Sequence, residues 1–252
     1  MDTQSNRLKV HRRDLVLGGS RYTILSPRPR TESRFATNRF HDTWHVLTDL
    51  EGAHLLERLC WAMAYQRHDR TVAVIDPPFM VPNPFDADAS SPIVIVNTDL
   101  GPFPRDGATS LCQALPFRTP SSGTVVLQTR GLDLALENPG AFAQGPDQAR
   151  WRDPHRKRRW IEGSAGLVIL AAPGPVLKTW GAELSQLGNW MHEGSDYSEL
   201  DYPKNDGEVQ VLDDFDSHVE RAITLRTRLF PNAASRHLSE EEKQVIWVAH
   251  HP

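Results

Sequence analysis

Three aliphatic runs constrain this chain more than anything else in it. They read "TVAVID" from Thr71, "PIVIVNTD" from Pro92 and "AGLVILAAP" from Ala165. Each is too short for a helix of ordinary length. Each is rich in β-branched residues and bounded by charge, proline or glycine. None alternates with polar residues, so each reads as a strand buried on both faces. A sheet made of such strands needs helices to cover it. A fourth candidate is "GTVVLQTR" from Gly123. The expected class is therefore α/β, with a mixed, mostly buried sheet of at least four strands covered by helices.

The flanking segments fit that frame. "LKVHRRDLVLGGSRYTILSP" places two β-rich runs around Gly18 and Gly19, which predicts an N-terminal β-hairpin. Residues 28–38 are polar and basic and read as a loop. Thr48 and Glu51 have capping-box spacing, and Leu55, Leu56, Leu59, Ala62 and Met63 follow on one helical face. That helix is expected to run to about His68. Further helices are expected in "VLKTWGAELSQLGNWM", in "DDFDSHVERAITLRTRLF" and after Ser239, where Ser239 and Glu242 repeat the capping spacing. The last third is thus expected to be helical. Length allows one domain over residues 1–252, with a small helical subdomain over 190–252 as the alternative.

Composition narrows the function classes. Hydrophobic residues are 39% of the chain, enough for a core, which argues against global disorder. The formal net charge is −4, so bulk nucleic acid is not the expected partner. Cys60 lies in the helical pattern and reads as a small core residue; two cysteines make no disulfide framework. No apolar run approaches a membrane span or a secretion signal, and the expected location is the cytoplasm.

The end of the first aliphatic run, Asp76-Pro77-Pro78-Phe79, carries a resemblance. It resembles the catalytic motif of amino-methyltransferases, an acid or amide followed by two prolines and an aromatic. The resemblance implies that Asp76 accepts a hydrogen bond from a target amine, that Pro77 and Pro78 stiffen the loop, and that Phe79 stacks on a base. It also implies S-adenosylmethionine as cofactor, held by a glycine-rich turn that opens a helix. The glycines of "VLGGSRY" and "IEGSAGLVIL" instead precede β-like runs. The loop after Phe79 contains no helical crossover, so the two strands it joins are expected to be antiparallel. The plainer reading of the same residues is a strand stopped by proline.

Other patterns are local. His41 and His45 in "HDTWH" would share a face on a helix, a spacing that holds metals, but no third ligand is apparent and no metal is expected. Arg150, Arg152, Arg156, Lys157, Arg158 and Arg159, with Trp151 and Trp160, form the densest basic cluster. Guanidinium groups of this kind fit a phosphate-bearing ligand or an acidic protein surface. Asp76 and Asp99 both close aliphatic strands and would meet at one sheet edge only if those strands were parallel. Asp201, Asp206 and Glu208 form a loose acidic set.

Two readings follow. The first is an accessory or assembly protein without chemistry of its own, acting on another protein through its surfaces. The second is an enzyme on a small or phosphorylated substrate, in its most specific form a methyltransferase-like protein using the Asp76–Phe79 loop.

Overall fold

The computed structural model describes residues 6–138, 158–189, 191–200, 206–232 and 236–250. It is mixed α/β, with a seven-stranded and a four-stranded sheet. The hairpin is β1 (Arg7–Leu17) and β2 (Ser20–Ser26). Its turn is Gly18-Gly19, both at positive φ, the conformation that follows the twist of the strands. The second hairpin, β3 (Phe35–Phe40) and β4 (Thr43–Thr48), turns at His41-Asp42, also both at positive φ. Helix α1 (Leu50–Ala64) leads to β5 (Thr71–Ile75), and β6 (Ile93–Asn97) follows. Then come α2 (Arg105–Ala114), β7 (Gly123–Gln128), α3 (Leu132–Glu137), β8 (Trp160–Ser164) and β9 (Leu167–Ala172). The rest is α4 (Gly174–Leu184), β10 (Ser195–Glu199), β11 (Gly207–Leu212), α5 (Phe215–Leu229) and α6 (Glu240–His250).

The large sheet has the order β7-β1-β2-β5-β6-β9-β8. Strands β5, β6 and β9 are its middle, and every residue of all three is buried. The expected strand β7 exists, but at the sheet edge, and only Leu127 of it is buried. The small sheet has the order β10-β11-β4-β3. Residues 35–38, expected as loop, are its edge strand; Phe35 and Ala36 are wholly buried and override the basic residues before them.

Helices α1 and α4 lie between the sheets. Leu56, Leu59 and Met63 of α1 and Leu177 and Trp180 of α4 share one core with Ile75, Ile95 and Leu170 of the large sheet and Val46, Val209 and Val211 of the small one. Helix α2 covers the other face of the large sheet through Ala108 and Leu111. Phe215 and Val219 of α5 cover the outer face of the small sheet at Ala36, Leu47 and Leu212. Helix α6 reaches the body by packing Ile246 and Leu238 on Leu225 of α5.

Of the two expected caps, one forms and one does not. Thr48 does not cap α1; it ends β4, and its Oγ1 donates to the Arg34 carbonyl at 2.6 Å. Asp49 takes the role, its Oδ1 accepting from the Gly52 amide at 2.6 Å. The helix ends at Ala64, short of His68. The second capping box forms as expected: the Ser239 amide donates to Glu242 Oε2 at 2.9 Å and the Glu242 amide to Ser239 Oγ at 3.3 Å. Among the described residues no helix is long and apolar enough to cross a membrane.

Candidate functional site

Strands β5 and β6 run antiparallel, as the short loop between them implied. Asp76 and Asp99 therefore stand at opposite ends of the sheet and form no pair. Asp99 instead bridges two segments. Its Oδ1 accepts from Arg158 Nη2 at 2.6 Å and its Oδ2 from the Gly174 amide at 2.8 Å, at the start of α4. Asp76 precedes a single 3-10 turn over Pro77–Phe79 and its side chain caps nothing there. Burial raises its pKa. Phe79 is 4% exposed and belongs to the central core.

Of the basic cluster, Arg150, Trp151, Arg152, Arg156 and Lys157 lie outside the described residues. Arg158 is engaged by Asp99 and by the Thr98 carbonyl at 3.3 Å. Trp160 opens β8 and packs half-buried against the α2 side of the large sheet. Cys60 is wholly buried, and burial pushes its thiol up to about 12, an inert core sulfur.

"HDTWH" is a hairpin, not a helix. His41 sits in the turn, its ring stacked on Phe40 with centroids 4.0 Å apart. His45 sits on β4, and no group of three or more potential metal-ligating side chains assembles among the described residues. His45 belongs to something else. Across the small sheet, Glu199, Glu208, His45 and Asn38 occupy one row of directly paired positions. Burial, with help from Glu199 opposite, pushes the Glu208 carboxyl up to about 7. Burial also lowers the pKa of His45, which favours the neutral ring. Its Nδ1 lies 2.8 Å from Asn38 Oδ1. An amide oxygen can only accept, so Nδ1 carries the proton and Nε2 keeps its lone pair.

His45 and Asn38 lie on the face of the small sheet that α5 covers, beyond the end of that cover. There a cavity of about 640 Å³ opens between the sheet, the loop 83–91 and α6. Its floor is Asn38, His45 and Gln210, its rim includes the exposed rings of Phe40 and Trp247, and Phe85 and Ser91 close one side.

The loop wall is held by charge. Arg226 of α5 donates from Nη1 to Asp88 Oδ1 at 2.5 Å, with both side chains 11% exposed. The Leu238 amide reaches the same oxygen at 3.3 Å, and Lys243 Nζ lies 3.5 Å from Oδ2. Burial works to raise the Asp88 carboxyl, but Arg226, the Leu238 amide and Lys243 together hold it below its ordinary range. Asp86 differs. Its Oδ1 accepts from the Asp88 amide at 2.7 Å, an Asx turn that shapes the loop. Burial raises its pKa, and the charge of Asp88 adds to the effect.

None of Asp76–Phe79 lines this cavity. The metal-ligand spacing of "HDTWH" singles out His45 on a helix that does not form, and nothing in that pattern points to Asn38, Asp86 or Trp247. A readable signal was present: "ATNRF" and "TWHVLT" are two β-like runs around a two-residue His-Asp turn, which sets Asn38 opposite His45. No family model, no curated protein and no solved structure matches the chain.

Proposed function

We propose that this protein binds a small organic molecule in the cavity between the four-stranded sheet and α6. The observation that carries the reading is the cavity itself, at about 640 Å³ within the size range of small-molecule sites. Its lining supports it: aromatic rings at the rim for an apolar body, and a few oriented polar groups, His45, Asn38 and Gln210, on a rigid sheet floor. This reading departs from the expectation of an accessory protein acting on another protein through its surfaces: the partner proposed here is a small molecule.

The test is calorimetric titration with 2-naphthylmethanol, a neutral probe with a ring body of suitable size. Saturable binding to the parent that is lost in Gln210→Trp, where an indole fills the floor, supports the reading. No binding, or binding that survives Gln210→Trp, overturns it.

A further inference from the structure

The charges around the cavity do not balance. From the loop come Asp86 and Asp88; from α6 come Glu240 and Lys243; Arg226 stands behind the loop. Arg39 on β3 is committed to Asp42 at 3.1 Å. Arg226 pairs with Asp88, and Lys243 lies 2.9 Å from Glu240 and 3.5 Å from Asp88, so three carboxylates share two cations, whose charges also reach Asp86. Among the described residues Asp86 is the one of the three with no close ion pair. It is 8% exposed, and its Oδ2 meets no protein donor among the described residues. Burial lowers the pKa of His45, so this ring adds no charge at mildly alkaline pH.

A carboxylate that is 8% exposed has little contact with water, so a cation that reaches it from the cavity is held more strongly than one at an open surface. The rings of Phe40, Phe85 and Trp247 line the same space, and aromatic faces attract cations. Anions are disfavoured by the same surplus of negative charge.

We infer that the ligand of this cavity is a monocation, a protonated amine carried on an apolar or aromatic body, with the ammonium against Asp86 Oδ2. The inference rests on the proposed function and adds the chemical class of the ligand. The amine donates to Asp86 in a charge-assisted hydrogen bond, and its body lies between the rim rings. Asp88, already satisfied by Arg226, is the anchor of the wall and not the recognition group.

Three probes with one ring body separate this inference from the reading it rests on. They are 2-naphthylmethylamine, 2-naphthylmethanol and 2-naphthoate, titrated at about pH 8, where the amine is still largely an ammonium and His45 is neutral. The expected order is amine tightest, alcohol about tenfold weaker and naphthoate weakest, the gap of one charge-assisted hydrogen bond. Asp86→Asn keeps an oxygen for the Asp88 amide and removes the charge, so the amine-to-alcohol affinity ratio is expected to fall towards one. If the alcohol binds but the amine is no tighter, the inference fails and the cavity reading stands. A ratio unchanged in Asp86→Asn also overturns it. If none of the three binds, both fail. Should the variant not fold, the order of the three probes on the parent protein decides alone.

Discussion

Glu208 sits in an environment far from the one water offers a carboxylate. On β11 it faces Glu199 directly across the strand pair, and burial takes its carboxyl to about 7. A folded pKa above the unfolded one means that the native state binds the proton more tightly. Stability is then full below the unfolded value, about 4.3, and declines as pH rises towards about 7. Glu208→Gln removes a charge that the fold tolerates poorly. Urea unfolding at about pH 8 is expected to find the variant more stable than the parent, with the gain gone near pH 4. A variant weaker than the parent at the higher pH would mean that Glu208 has a partner worth more than its burial costs. At this scale the sequence was only partly legible. Cys60 was readable because an apolar helical pattern names its own core. Glu208 and Asp86 were not, because their properties come from burial and from neighbours that only the fold brings together, Glu199 across a ladder and the α5–α6 pair over the loop.

The long aliphatic strands were legible because burial on both faces leaves no room for polar residues, and β5, β6 and β9 are the result. The small sheet was not, because its strands are half polar and β10 has no fully buried residue. Its position against the large sheet rests on glycines that carry no pattern. At Gly163 of β8 an added Cβ would lie 2.3 Å from Trp44 Cζ2 of β4, and at Gly207 of β11 one would lie 2.2 Å from Ile161 Cδ1 of β8. The two sheets thus meet through missing side chains. Gly163→Ala forces Trp44 out of place and is expected to cost about 1–3 kcal/mol, the range for overfilling a packed site. Gly19→Ala is the contrast: its Cβ meets nothing within 4 Å, and only the positive φ opposes it. Its expected cost is about 1 kcal/mol. Equal losses in chemical denaturation would mean that the sheets do not depend on this contact.

Across the whole molecule, sequence-distant parts meet at one carboxylate. Asp88 ties the loop after β5 to α5 through Arg226, to the segment before α6 through the Leu238 amide, and to α6 itself through Lys243. The apolar attachment of α6 is small by comparison, with Leu225, Leu238 and Ile246 as its buried residues. The cavity wall therefore depends on charge more than the rest of the fold does. Asp88→Asn removes the carboxylate that Arg226 and Lys243 share, with an expected loss of about 3 kcal/mol for breaking such a pair. The effect should be local. Amide exchange is expected to accelerate in α6 and the end of α5, while β5, β6 and β9 keep the protection of the shared core. The same opening has a pH form. Because the folded pKa of Asp88 is held low, its contribution is complete above the unfolded value, near 4, and is lost as pH falls through the folded one. Acid should thus release α6 before it melts the large sheet, and Trp247 should report it as a fluorescence change preceding the loss of far-ultraviolet ellipticity. Coincident transitions would instead make α6 part of one cooperative unit with the sheets. Release of α6 also removes Trp247 and Lys243 from the cavity, so affinity for 2-naphthylmethanol is expected to fall with the helix signal and ahead of global unfolding.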